Sequence, residues 1–270
     1  MKKKCIIFVI TILIFTTWYF LLYKPEIEEQ KPILINLTSA DKHILWGKPR
    51  GYDLKVFEYE GFVSGYDTVK LNPRWVSYNV KSEYIHGIKY LKYRKFRPDP
   101  RLELHQTATN SDYTGSGFDR GHLARQSNMK GRSPECELEA CYFTNVSPQK
   151  QNFNRIVWSK IEQTAINLTE RYDESWIVTG PYFDDDILLL NNRIEIPDGF
   201  YKILILKKNK EYIPLAFVLD MNSESLNPED HLVSIDSVES LTGLDFFHEL
   251  EDSVEAILES KHLPLPYGWK

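Results

Sequence analysis

The chain contains an ordered set of polar residues whose types and spacing suit the cleavage of a phosphodiester bond. Residues 119–122 read Asp-Arg-Gly-His, and 23 positions after the histidine the segment 145–150 reads Asn-Val-Ser-Pro-Gln-Lys. Asn154, Trp158 and Glu162 then follow at helical spacing. Together they offer a proton acceptor, positive charge and oxygen ligands for a hard metal ion, without a carboxylate cluster or a cysteine cage.

Phosphodiester hydrolysis needs a base for the attacking water and stabilisation of the charge that develops on phosphorus and on the leaving oxygen. His122 is the candidate base, because a neutral imidazole with a pKa of about 6.5 accepts protons near neutral pH. Arg120, in the same motif, is placed to meet phosphate oxygens. The residues alone leave structural alternatives open: a buried or surface histidine, and an ion pair between Arg120 and Asp119.

Asn154 and Glu162 are the candidates for holding a metal ion. Magnesium keeps several waters and takes few protein ligands, so one amide oxygen is a plausible contact. Glu162 lies eight residues on, about 80° around the helix and two turns along it. The alternatives are a helix N-cap for Asn154 and a surface ion pair for Glu162, while Trp158 between them suits packing.

Composition describes an ordinary globular protein. The 270 residues are 42% hydrophobic and 26% charged, with a net charge of −5. The acidic total argues mildly against a nucleic-acid partner. However, residues 89–101 hold six basic side chains against one acid, either a phosphate-binding stripe or a solvated face. Cys136 and Cys141 lack metal-site spacing, and either a disulfide or two thiols remains open.

The first residues predict a membrane anchor. Residues 1–5 form a basic, cytoplasmic start, and the uncharged apolar run 6–23 is just long enough to cross a bilayer. No small-residue cleavage site follows it, although a cleaved signal peptide is the alternative. Residues 24–49 then form a linker to a single domain at 50–262. The basic start places that domain on the non-cytoplasmic side, with a bacterial envelope or periplasm as the first choice and the mitochondrial intermembrane space as the second.

The hydrophobic pattern predicts a mixed α and β domain. Ranges 57–66 and 75–80 are typical of strands with an Asn-Pro turn between them, and 142–146 of a short strand. Range 97–118 reads as a loop. Range 154–172 has the clearest helical periodicity. Further strands are predicted at 176–179, 202–207 and 213–219, and further helices at 234–241 and 249–258.

The chain resembles the DNA/RNA non-specific endonucleases, the family of endonuclease G and the Serratia-type nuclease. The resemblance rests on Phe-Asp-Arg-Gly-His-Leu-Ala at 118–124, on Tyr-Phe-Thr-Asn-Val-Ser-Pro-Gln at 142–149, and on Phe-Asn at 153–154 followed by Trp158 and Glu162. It extends from about residue 50 to 250, where Thr-Gly pairs match later segments. The ordered set is highly specific, whereas the four-residue Asp-Arg-Gly-His element alone is moderately so.

The family implies an α+β fold with a ββα-metal (His-Me) finger and a mixed or antiparallel sheet. It also implies cleavage of DNA and RNA to 5′-phosphate ends with one Mg²⁺, for which Mn²⁺ could substitute. His122 would be the general base, Asn154 the direct metal ligand and Glu162 the holder of the hydrated ion. Arg120 and Arg94 would stabilise charge on phosphate. The nucleic-acid contacts would come from Asn145, Gln149, Arg125 and Arg155.

Arg125 departs from the family, in which proline or a small residue usually stands at this position. It could add a phosphate contact or reshape the loop, which puts the substrate preference in doubt. Two other functions remain: a phosphodiesterase or nucleotidase with the same site, and a catalytically silent nucleic-acid-binding module. The intact set of His122, Asn154 and Glu162 argues against the silent module. The oligomeric state is undecided, with a homodimer as one arrangement.

Overall fold

The computed structural model covers nearly all of the expected domain. The predicted membrane segment 6–23 and the predicted phosphate-binding residue Arg94 lie outside the described residues. Within the described part, no helix is long and apolar enough to cross a membrane. The described residues are 33–34, 42–92, 95–172, 174–266 and 269.

Eight strands form one sheet in which every neighbouring pair is antiparallel. This confirms the α+β prediction and resolves the choice between a mixed and an antiparallel sheet. The longest strands lie at the centre of the sheet. In spatial order the strands are β1 (Ile33–Leu34), β11 (Glu211–Asp220), β10 (Gly199–Lys208), β7 (Glu174–Tyr182), β4 (Asn72–Lys81), β3 (Val63–Asp67) and β2 (Lys55–Glu58), with β12 (Leu232–Val233) beside β11.

Both faces of the sheet are buried, because each packs against its own hydrophobic core. Alternation along β10 shows this: Phe200 and Leu204 belong to one core, whereas Tyr201 and Ile203 belong to the other. A strand buried on both sides reads as a continuous apolar run, which is why this strand was predictable. The one charged side chain in the middle of that run, Lys202, is 1% exposed.

Different helices cover the two faces. The first core contains the long helix, which begins as a π-helical segment at Phe153–Trp158 and continues as α4 (Ser159–Tyr172). The second core contains Ile235 and Leu258, from α5 (Ile235–Thr242) and α6 (Asp252–Glu259). The remaining helices are short: α1 (Ser82–Ile85), α2 (Asn110–Tyr113), α3 (Pro134–Glu139) and 3-10 turns at Leu104–Gln106, Gln126–Met129, Phe143–Asn145 and Pro228–His231.

A separate two-stranded ribbon leads into the long helix. Strand β5 (Phe118–His122) pairs antiparallel with β6 (Val146–Lys150), so that His122 lies opposite Val146. The π-helical segment begins three residues after β6 ends. This ribbon and helix have the ββα order that the resemblance implies. Another small ribbon, β8 (Leu189–Leu190) with β9 (Ile194–Glu195), lies before β10.

Three local predictions need correction. Asn72 and Pro73 begin β4 rather than forming a turn, and range 57–66 is two strands separated by a turn closed from Tyr59 N–H to the Phe62 carbonyl (2.9 Å). Range 142–146 is mainly a 3-10 turn, since the side chain of Asn145 bonds to nearby backbone. The predicted linker 24–49 overlaps the folded domain, because residues 44–46 are at most 5% exposed in the second core.

Candidate active site

The base candidate and the first arginine lie on the same face of β5. Arg120 and His122 are two residues apart in an extended strand, so their side chains point the same way. Both contact Phe96: its ring centroid is 4.7 Å from that of His122 and 5.9 Å from the Arg120 guanidinium. His122 is 7% exposed, and Arg120 donates from Nη2 to the Asn110 carbonyl (2.9 Å). The Phe96 ring therefore orients the His122 imidazole beside the Arg120 guanidinium, which is held by its hydrogen bond to Asn110.

Asp119 connects the strand to the start of the long helix. Its carboxylate accepts two hydrogen bonds from Arg155, both 2.8 Å, and a third from Asn154 Nδ2 at 2.9 Å. Burial pushes the pKa of Asp119 upward, but the bonds from Arg155 and Asn154 outweigh it and hold the pKa below its usual value. The alternative pair between Asp119 and Arg120 is thus replaced by one with Arg155. The cap alternative for Asn154 does not hold either, because its side-chain amide bonds Asp119.

A second connection lies two helical turns further on. Arg125 Nη1 is 3.4 Å from Glu162 Oε2, and the Glu162 carboxylate is 9% exposed. The segment 119–125 is therefore tied to the helix at both ends, by Asp119 at Asn154 and by Arg125 at Glu162. His122 lies between these two connections along the chain, and both metal-holding candidates lie on the helix to which its segment is joined.

Gly121 allows β6 to approach the motif closely. A Cβ at position 121 would lie 2.2 Å from Gln149 Oε1, closer than any real contact. Gln149 is fully buried, and neither atom of its amide has a hydrogen-bond partner among the described residues. Any larger residue at position 121 would displace Gln149 and the ribbon pairing behind His122. Glycine is therefore needed for the close approach, rather than for a positive φ.

Asn145 positions the loop after the motif rather than meeting a ligand. It is fully buried; its Oδ1 accepts from the Ala124 N–H (2.7 Å) and its Nδ2 donates to the Ala124 and Ala140 carbonyls (both 2.8 Å). We expected Asn145 and Gln149 to contact nucleic acid directly, and their burial contradicts this. Asn145 is a positioning residue, whereas Arg125 and Arg155 keep exposed surface.

Lys202 is a residue of the site region that the sequence did not single out. Its ammonium is buried without a hydrogen-bond acceptor among the described residues and lies 4.7 Å from the Trp158 ring centroid. Burial lowers its pKa to about 8, while Glu162 raises the pKa and Arg125 lowers it. A lysine within an apolar strand was the available signal, because an unpaired buried charge is costly and rarely kept without use.

Only some of the basic side chains at 89–101 are exposed and unpaired with an acid, as a phosphate-binding stripe would require. Arg101 bonds Asp99 through both Nε and Nη2 (2.9 and 2.6 Å), so this pair is neutral. Lys89 and Lys95 are exposed. Cys136 and Cys141 are buried thiols rather than a disulfide. These observations leave a smaller basic surface than the sequence predicts.

The oxygen donors of the site fit a hard divalent cation. Asn154 uses Nδ2 on Asp119, which leaves its amide oxygen as an acceptor on the other side of the group. Glu162 contributes a carboxylate from the same helix, and Gln149 Oε1 is a buried acceptor close to Gly121. A neutral amide with one carboxylate, and no thiolate, suits Mg²⁺ and its retained waters better than zinc.

Known proteins share this sequence and fold. The model of the DNA/RNA non-specific endonuclease family matches residues 42–253. Mitochondrial nuclease EXOG of Mus musculus is 31% identical over 250 residues, covering 85% of this chain and 67% of that protein. Mitochondrial endonuclease G of Homo sapiens is 31% identical over 201 residues, or 69% of this chain and 67% of that protein.

A solved structure agrees with the sequence relatives. The crystal structure of an EndoG/EndoGI complex aligns with a TM-score of 0.68 and 25% identity, over 75% of this chain and 89% of that one. Its description concerns the mechanism of EndoG inhibition. Because the family match spans most of the folded part, this protein belongs to the DNA/RNA non-specific endonuclease family and is an endonuclease.

Proposed function

We propose that this protein is a Mg²⁺-dependent endonuclease that hydrolyses both DNA and RNA to 5′-phosphate ends, with His122 as the general base. The observation that carries the proposal is the double tie of segment 119–125 to the long helix. Support comes from the order along the chain, in which a nearly buried histidine lies between Asp119, bonded to the Asn154 amide, and Arg125, paired with the Glu162 carboxylate. A binding module would need no base on a segment joined to two such oxygen donors.

Each residue has a defined role in this proposal. His122 takes a proton from the attacking water, and the Phe96 ring keeps the imidazole in one plane. Arg120 would exchange its bond to the Asn110 carbonyl for phosphate oxygens and stabilise the charge on phosphorus. Asp119 stays ionised and orients Asn154. The unplaced Arg94 remains our candidate for a second phosphate contact.

Asn154 and Glu162 would hold the ion. When bound, Mg²⁺ supplies Lewis-acid stabilisation of the leaving 3′ oxygen, and Mn²⁺ could take its place. Asn154 is suited to this because Asp119 fixes one side of its amide. Glu162 is suited because its carboxylate is nearly buried and lies 3.4 Å from the Arg125 guanidinium.

The basic groups around the site lead us to expect little sequence preference and cleavage of both DNA and RNA. The exposed groups around the site are guanidinium and ammonium groups, including Arg125, Arg155 and Lys95. Such groups meet the phosphate backbone, which carries little base information and is common to DNA and RNA. The proposal therefore includes both substrates. A homodimer remains one arrangement of the enzyme.

We further propose that residues 6–23 anchor the enzyme, with its domain on the non-cytoplasmic side of a membrane, first of all in a bacterial envelope. Support comes from the uncharged run and from the lysines before it. Membranes containing the full-length chain should keep it through carbonate washing, and protease added outside the cytoplasm should digest the domain. Release by the wash would exclude an anchor.

The metal proposal is tested with the full-length chain in mild detergent, on supercoiled plasmid and single-stranded RNA. We expect both to be cut with Mg²⁺ and neither with EDTA. Asn154→Ala should lower cleavage by roughly a hundredfold at limiting Mg²⁺, because second-sphere losses alone cost tenfold to a hundredfold. Asn167→Ala, further along the same helix, is the matched control. Equal activity of the two variants, or cleavage in EDTA, would contradict the proposal.

A further inference from the structure

Three carboxylates come together on the side of the sheet opposite to the long helix that follows the β5–β6 ribbon. Asp236 and Glu239 lie on α5 and Glu259 lies at the end of α6, and one oxygen from each lies within 4.8 Å of the others. They range from exposed to buried, so the group is a recess that opens to solvent at Asp236. The helices that carry them pack in the second core, whereas His122 belongs to the other face of the sheet.

The deepest of the three carboxylates is unpartnered. Glu259 is 6% exposed, and its Oε1 is buried with no hydrogen-bond partner among the described residues. The Glu239 carboxylate accepts one backbone N–H, from Phe246 (2.8 Å). The nearby guanidinium of Arg50 is committed elsewhere, to Asp245 at 2.6 Å. The described residues therefore supply no cation in contact with the trio.

Such a group requires positive charge from outside the chain or bound protons. Burying a carboxylate without a partner costs several kcal/mol, and like charges a few ångströms apart add to this cost. Burial first, and then the neighbouring carboxylates, raise the pKa of Glu239 to about 7 and that of Glu259 to about 8. A divalent cation in the recess would supply that positive charge.

The donor type and spacing favour calcium. Hard cations take carboxylate oxygens, and Ca²⁺–O bonds of 2.3–2.6 Å place opposite ligands about 4.6 to 5.2 Å apart. For Mg²⁺, with bonds near 2.1 Å, the corresponding span is only about 4.2 Å. One oxygen from each carboxylate of the trio lies within 4.8 Å of the others, so a single calcium ion can reach all three. The open side at Asp236 leaves room for the waters that complete a calcium sphere.

We infer that Asp236, Glu239 and Glu259 form a calcium site that fastens α6 to α5. The ion would neutralise the buried charge and join two short helices. It would act on stability rather than on phosphodiester chemistry, because the sheet separates it from His122. Binding to the folded state alone raises stability as the calcium concentration rises.

Thermal unfolding of the full-length chain in detergent tests this site. After chelation, CaCl2 is titrated to about 10 mM, above the weakest natural sites, at constant ionic strength. We expect the Tm to rise by about 5 °C or more at a hundredfold excess over Kd. The rise should persist in Asn154→Ala, which removes the active-site ligand, and calorimetry of that variant should find one calcium per chain.

Glu259→Gln should abolish the calcium response and, without calcium, melt at or above the wild-type temperature, because a buried repulsion is removed. Glu249→Gln, an exposed carboxylate outside the trio, should respond like the wild type. If Glu259→Gln fails to fold, Asp236→Asn at the exposed rim should weaken calcium binding at least tenfold. A wild-type Tm that ignores calcium, or an equal response in Glu259→Gln, would overturn the site and leave protons as its neutralising charge.

Discussion

Acidic side chains on the two faces of the central sheet have different surroundings, and their pKa values are shifted in opposite directions. On the finger face, Asp119 accepts bonds from Arg155 and Asn154, and its pKa lies below the usual value. On the far face, Glu239 and Glu259 crowd together without a basic partner, and their pKa values are raised to about 7 and about 8. An acid held by an arginine and an amide can orient another side chain, whereas crowded acids with few donors are suited to bind an ion directly.

Within this comparison, we expect the largest effect from removing Asp119, the acid that is bonded to Arg155 and Asn154. Asp119→Ala frees both Asn154 and Arg155, and we expect cleavage to fall by roughly 10- to 100-fold, as for other residues that orient a metal ligand. Raised Mg²⁺ should recover part of the loss. Asp185→Ala, an exposed acid in a loop, serves as control in the same plasmid assay. If Asp119→Ala cleaves as fast as the control, the orienting role is excluded.

Lys202 extends the comparison to a basic group. Its buried ammonium lies on the same face of the sheet as the first core and has no hydrogen-bond acceptor among the described residues. Lys202→Met keeps the volume and removes the buried ammonium, so we expect the free energy of unfolding to rise by about 1–4 kcal/mol. Activity should fall about tenfold, since Glu162 loses a nearby positive charge. Urea unfolding and cleavage rates measure the two effects, with Lys160→Met as the exposed control. A parallel loss of stability and activity would indicate a packing role only.

The two faces should also respond oppositely to pH. Asp119 contributes stability above its unfolded pKa and loses it as the pH falls through its lowered folded pKa. Glu239 and Glu259 have raised folded pKa values, so their stability is present at about pH 4 and is lost as the pH rises towards 7 and 8. Metal-free unfolding at pH 5 to 8 should therefore show falling stability.

In that pH series, Glu259→Gln should flatten the decline, and Glu249→Gln should keep it. The other acids that face the trio are Asp245 and Glu255, and Arg50 and His248 are bases near Glu255. Because several charged groups surround the trio, the difference between the two variants is the informative quantity. Identical slopes in the two variants would remove Glu259 as the source.

We expect the smallest effect from a change of Arg155, the exposed partner of Asp119. Arg155→Gln should weaken DNA binding a few-fold and lower the slope of log affinity against log salt by about one or less, as for a single phosphate contact. The reduction should be similar for DNA and RNA. Lys208→Gln, outside the finger, provides the reference in a filter-binding titration. An unchanged slope would remove Arg155 from the substrate contacts.

Chemistry-bearing motifs were easier to read from the sequence than the local backbone around them. His122, Asn154 and Glu162 were predicted because their residue types, order and spacing are constrained together. The strand β10 was readable because burial on both faces leaves an unbroken apolar run. The π-helical start at Phe153–Trp158 carries no periodic signal of its own, so only the helix as a whole was predicted.

The failures have a shared physical origin in long-range contacts. Asn145 looked like a ligand-facing amide, but it bonds Ala124 and Ala140 in the interior. The pairing of Asp119 with Arg155 joins residues 36 positions apart, and Arg120 turns instead to the Asn110 carbonyl. Sequence spacing gives the direction of a side chain on its own element, whereas the neighbouring element decides which partner it meets.

The rate of plasmid cleavage by His122→Ala, compared with His105→Ala, tests the central proposal most directly. His105 is exposed and pairs with Glu103 outside strands β5 and β6, so its loss should leave the rate unchanged. Loss of the base should lower the Mg²⁺-dependent rate by roughly 10²- to 10⁴-fold. We expect the wild-type rate to fall below about pH 6, where an imidazole becomes protonated, and this fall should be absent in His122→Ala. A His122→Ala protein that is folded and cleaves at the rate of His105→Ala would contradict a histidine-based nuclease site.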